Sequence, residues 1–241
     1  MADAATIEDR LRDLARAHRI LADNGHMNMS LGHMSWRDPE GRGFWLKRSG
    51  LGFEEVQETD FILLDFDGVQ LLGNGGRHAE WPIHAEIFRA REDVAAVAHS
   101  HPIHATILSS CETELACTCH EGIMLHGRMS YFRKMRGLIR TPEQGRELAS
   151  VLGGASVVLM KNHGMTACGP SIELTALWAI FLERASYAQL TAAATPYQWS
   201  GPDPDDLLEG GPAHMALPEA IIRDFWSYFC RRLERAEQLK G

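Results

Sequence analysis

No apolar run in this 241-residue chain approaches the roughly 20 residues that a membrane-crossing helix needs, so no membrane partner is expected. No block of lysine or arginine occurs, and the formal net charge is -8, which argues against nucleic acid as a partner. Cysteine is sparse and odd in number: Cys111, Cys117, Cys119, Cys168 and Cys230. These form no disulfide framework, a usage that favours a reducing cytoplasm. The first 20 residues are acidic and amphipathic, unlike a secretory signal. Internal repeats and a glycine-rich nucleotide loop are also missing. What remains is an ordinary globular composition, long enough for one large α/β domain with a real core.

Against that background one stretch stands out. Residues 94–104 read VAAVAHSHPIH, an apolar, β-leaning run that ends in His99, Ser100 and His101. In a strand, residues two apart point to the same face, so two imidazoles can emerge side by side. That is two-thirds of a His₃ metal site. Downstream, the apolar run 157–160 ends in Lys161, Asn162, His163 and Gly164, again a buried strand delivering a histidine, with the glycine letting the chain turn. Upstream, Glu80 precedes a helical stretch, 81–92, that leads into the first strand. His84 lies within that helix and reads as structural.

The segments 78–106 and 157–169, with an acidic residue, H-x-H and N-H-G in that order, resemble the class II aldolase/adducin family over about residues 5–190. The resemblance implies a single α/β domain with a central, mostly antiparallel sheet flanked by helices. It also implies one divalent metal ion per subunit on His99, His101 and His163, with Glu80 beside it as acid/base. Zinc is the default for such a site, with manganese, cobalt and iron compatible. A small-molecule substrate and a homo-oligomer, commonly a tetramer, follow from the same resemblance.

The departures from the family pattern bear on substrate. Sugar-phosphate aldolases of the family bind phosphate through a Gly-Asn segment and a hydroxyl pair just before the glutamate. This chain has Gly32 and His33 at the first place, and His78 and Ala79 at the second. Lys47, Arg48, Ser49 and Gly50 resemble the family's Pro-Ser-Gly loop. Gly32, His33, Arg48, Ser49, His78 and His104 are therefore the candidate substrate-binding residues, with Arg77 nearby; Arg48 could grip a carboxylate with its planar fork. Thr118, Cys119, His120 and Glu121 resemble the acid/base segment of dehydratase members, making Glu121 a second candidate acid/base. Cys117 and Cys119 read instead as neighbours on one face of a strand.

With both phosphate signatures altered, the expected activity is a metal-dependent carbon–carbon lyase. Its foremost form is decarboxylation of a non-phosphorylated hydroxy-aromatic or hydroxy/oxo carboxylate through a metal-stabilised enolate. Aldol cleavage of a sugar phosphate shares that intermediate type. A dehydratase, an iron oxygenase and a non-catalytic adducin-like scaffold complete the alternatives. Residues 1–195 are expected to form the catalytic domain. Residues 196–241 form an extension: a Pro/Gly/Asp-rich tail with Asp205 and Asp206, then a helix packing on its own or a neighbouring subunit.

Overall fold

The strand that carries the histidine pair lies inside an eight-stranded sheet of order β4-β3-β2-β1-β5-β8-β7-β6. The computed structural model describes residues 6–135, 137–203 and 217–239. The strands are β1 (His33–Arg37), β2 (Phe44–Lys47), β3 (Phe61–Leu64), β4 (Gln70–Leu72), β5 (Ala96–Ser100), β6 (Met129–Phe132), β7 (Val157–Met160) and β8 (Gly164–Gly169). Every pairing is antiparallel except β6 with β7. The helices are α1 (Ile7–Leu21), α2 (Trp81–Ala90), α3 (Ile103–Ser110), α4 (His120–Met124), α5 (Pro142–Leu152), α6 (Ile172–Ala193) and α7 (Glu219–Gln238).

Helices cover both faces, and side-chain alternation divides the core accordingly. Trp45 on β2 and Ala96 and Ala98 on β5 join α1 and α6. Phe44 and Leu46, with Val97, join α2 and α5. A period of two places His99 on the Val97 side, towards α2. The helix starts are written locally. Thr6 and Thr141 form capping boxes with Asp9 and Gln144, and Ser171 caps α6. Helix α7 packs on its own chain: Leu233 is buried, Phe225 meets Phe181 edge-on at 6.2 Å, and Glu237 pairs with Arg19 at 3.0 Å. Asp205 and Asp206 lie outside the described residues.

One local expectation changes. Residues 114–118 are irregular and Cys119 is the N-cap of α4, so Cys117 and Cys119 are not strand neighbours. Strand β1 begins at His33, after the chain turns through Gly25 and through Met29 at φ 48. Strands β6 and β8 carry no readable alternation. All six residues of β8 are buried, which erases the period.

His18, fully buried, locks α1 to the sheet. Its Nδ1–H donates to the Leu14 carbonyl at 2.7 Å, and its Nε2 accepts from the Met34 amide at 3.0 Å. The bond accepted at Nε2 needs the neutral ring, and burial pushes its pKa down to about 3 from 6.5. The unfolded chain therefore binds a proton that the folded chain refuses, and stability is lost as pH falls from about 6.5 towards 3. Denaturant unfolding between pH 6 and 4 should show a loss of about 1.4 kcal/mol per pH unit from this residue. In His18→Gln that share of the slope should vanish.

Candidate metal centre

Four elements deliver one cluster. His99, next to last in β5, lies opposite His33 of β1 and Thr166 of β8. His101 follows at the strand end, before Pro102 starts α3. His163 sits in the tight β7–β8 turn. Glu80 is the residue before α2, and its Oε1 accepts from the Ile139 amide at 2.8 Å. The Nε2 atoms of His99 and His101 are 3.1 Å apart. Glu80 reaches His99 at 3.6 Å and His163 at 3.5 Å. One donor atom from each of the four lies within 4.8 Å of the others.

The protonation states suit a cation. Burial drives His99 below its ordinary pKa, and drives His101 down to about 3, so both rings are neutral near pH 7. Burial opposes ionisation of Glu80, but the His163 and His99 imidazoles beside it outweigh that and hold the carboxyl well below its usual range. Neutral imidazoles beside an ionised carboxylate are the form that ligates a divalent ion. His99 Nδ1 lies 3.1 Å from Thr166 Oγ1, which turns Nε2 inward as a lone pair. His163 Nε2 is buried in the cluster with no hydrogen-bond partner among the described residues. The residues thus fit a metal ion in donor chemistry and in spacing.

The turn works differently from its sequence reading. Asn162, at φ 56, takes the left-handed position. Gly164 instead allows close approach: a Cβ there would collide with the Ser100 carbonyl and lie 2.7 Å from His101 Cδ2. That contact lets the His101 and His163 rings stack at 5.1 Å and 13°. Gly164→Ala is expected to cost about 1–3 kcal/mol in thermal unfolding. It should also weaken metal binding by at least tenfold in a chelator titration.

The cluster opens into a cleft of about 850 Å³. Met27, Leu31, Ile103, Ile107, Met135 and Leu138 give it apolar walls, and His33, His78, Asn28 and Asn162 add polar groups. Gly32, Arg48, Ser49, His104 and Glu121 are not among the described residues lining it. Gly32 packs under Phe53, whose ring would be 2.7 Å from an added Cβ. Arg48 pairs with Asp60 at 2.9 Å, and the Ser49 amide bonds the Gly76 carbonyl at 2.8 Å. His104 meets Glu183 at 2.6 Å, and Glu121 meets Arg184 at 2.6 Å. Arg77 donates to the Gly68 carbonyl and lies over Trp81.

Two polar residues behind the cleft were not among the candidate site residues read from the sequence. Ser35 and His84 are fully buried and hydrogen-bonded to each other, and His84 also bonds His33. The i,i+4 spacing from Glu80 to His84, one helical turn, was the available signal for His84. Ser35 had none.

Residues 12–190 match the family model described as Class II Aldolase and Adducin N-terminal domain. The 3,4-dihydroxyphthalate decarboxylase of Rhodococcus jostii (strain RHA1) is 30% identical over 213 residues, covering 82% of this chain and 87% of that protein. An aldolase II superfamily protein from Pseudomonas syringae superposes with a TM-score of 0.88 at 25% identity, over 98% of this chain and 96% of that one. The L-fuculose 1-phosphate aldolase from Glaciozyma antarctica PI12 gives 0.81 at 25% identity, over 99% and 95%. Among the described residues no helix is long and apolar enough to cross a membrane.

Proposed function

The chain belongs to the class II aldolase and adducin family, and we propose that it is a metal-dependent decarboxylase of a non-phosphorylated hydroxy-aromatic carboxylate. The observation that carries this reading is the apolar wall around the four-donor cluster. Met27, Leu31, Ile103 and Leu138 suit the faces of an aromatic ring and offer nothing to a sugar's hydroxyls. The 30% identical dihydroxyphthalate decarboxylase supports the same substrate class.

His99, His101 and His163 hold the ion, zinc by default, with Glu80 at its side. The ion, when bound, supplies a Lewis acid for negative charge on substrate oxygens. Glu80, ionised at rest, takes the proton of a substrate hydroxyl. The carbon–carboxylate bond then breaks, carbon dioxide leaves, and its electron pair stays on the ring. Glu80 returns its proton to that carbon, and the product oxyanion is protonated from water on release. A homo-oligomer in the cytoplasm completes the reading.

Aldol cleavage is the second reading, favoured by the likeness to the Glaciozyma antarctica enzyme. A paired assay separates the two. One arm follows carbon dioxide from catechol- and hydroxypyridine-carboxylates, and the other follows aldehyde from ketose 1-phosphates. Carbon dioxide release is expected; aldehyde release alone would replace the proposal by the aldolase reading.

A further inference from the structure

Behind the cleft, three side chains form a buried string. Ser35 Oγ is 2.6 Å from His84 Nδ1, and His84 Nε2 is 2.6 Å from His33 Nδ1. Ser35 and His84 are fully buried, and His33 is 1% exposed where it lines the cleft. Two proton arrangements satisfy the string, and the serine selects between them. Its hydroxyl has no acceptor other than His84 among the described residues. If His84 donated to Ser35, a buried O–H would be stranded, and burying an unpaired donor is costly. Ser35 must therefore donate to His84 Nδ1. The proton of neutral His84 is then on Nε2 and donates to His33 Nδ1. The proton of neutral His33 is in turn on Nε2, its one nitrogen outside the string.

The neighbouring ring keeps one nitrogen unpartnered. His78 packs against His33 at 4.5 Å between centroids and also lines the cleft. Its Nε2 is buried without a hydrogen-bond partner among the described residues.

We propose that Ser35 and His84 are positioning residues that make His33 a fixed donor beside the unpartnered Nε2 of His78, so that the pair reads a substrate fragment bearing an oxygen anion next to a hydroxyl. The anion takes the His33 Nε2 proton, and the hydroxyl donates to His78 Nε2. A phosphate or an isolated carboxylate, fully ionised, satisfies only the first. This deepens the hydroxy-aromatic reading and depends on it for the substrate alone, since the ring protons report whether or not carbon dioxide is released.

The test is ¹⁵N NMR of histidine-labelled protein as purified. Expected signals show His33 protonated at Nε2 and bare at Nδ1, and His78 bare at Nε2. Ser35→Ala should turn the His33 signals into a mixture of tautomers. Ser35→Thr should restore them, and His84→Gln, whose amide can still donate, should keep His33 Nε2 protonated. Adding 2,3-dihydroxybenzoate should move both Nε2 signals, and Ser35→Ala should weaken its binding about tenfold, one hydrogen bond's worth. A His33 proton on Nδ1, or unchanged tautomers in Ser35→Ala, would overturn the proton assignment. No binding of the probe, or binding that leaves both Nε2 signals unmoved, would overturn the substrate fragment.

Discussion

Glu80→Gln is expected to lower turnover by about three orders of magnitude while divalent metal stays bound. A positioned acid/base contributes about 10²–10⁴-fold, and glutamine has the shape of glutamate without its basicity. The geometry allows a clean substitution. The Ile139 amide that donates to Glu80 Oε1 would donate equally to an amide oxygen, so the entry to α2 is preserved. Three imidazoles still converge, so the ion keeps most of its donors. Single-turnover kinetics beside a metal assay check this. If activity survives, the proton is carried elsewhere, and Glu121 is the next candidate, although Arg184 holds it outside the cleft lining.

His163→Ala should do the reverse: metal affinity collapses while the fold stays. Losing only a partner that orients a ligand typically costs 10–100-fold in affinity, so losing the ligand itself should cost at least 100-fold. The ring sits in a β-turn and packs on the His99 and His101 rings rather than in either hydrophobic cluster, so little core packing goes with it. Turn geometry rests on Asn162 and on Gly164 against β5, and both remain. Stability of the metal-free variant should stay within about 1 kcal/mol of the metal-free parent. Activity should be lost at sub-stoichiometric metal and recover partly at high metal. Full activity in this variant without added metal would remove His163 from the site.

The sequence was most informative where chemistry and local pattern coincide. The run 94–101 announced a buried strand by its apolar content, and the i,i+2 histidines announced a shared face. Thr141 and Pro142 marked the start of α5 from four residues. The substrate side was far less legible, because it depends on register between distant segments. His33 reaches His99 only through the β1–β5 pairing, and Ser35 meets His84 only because α2 packs over that face. Arg48 and Glu121 looked like substrate or proton groups in one dimension, yet each has a local ionic partner, Asp60 and Arg184. A charged residue's nearest counter-ion is set by tertiary packing, which spacing alone does not encode.

The central claim is that His99, His101, His163 and Glu80 form a metal centre that the activity requires. A competitive titration of the chelated protein with zinc, read by a coloured chelator alongside carbon dioxide release, tests it most directly. The account predicts one tightly bound ion per chain, with activity rising in step and saturating at one equivalent. No stoichiometric binding, or activity indifferent to the ion, would contradict it and move the chain towards the scaffold members of its family.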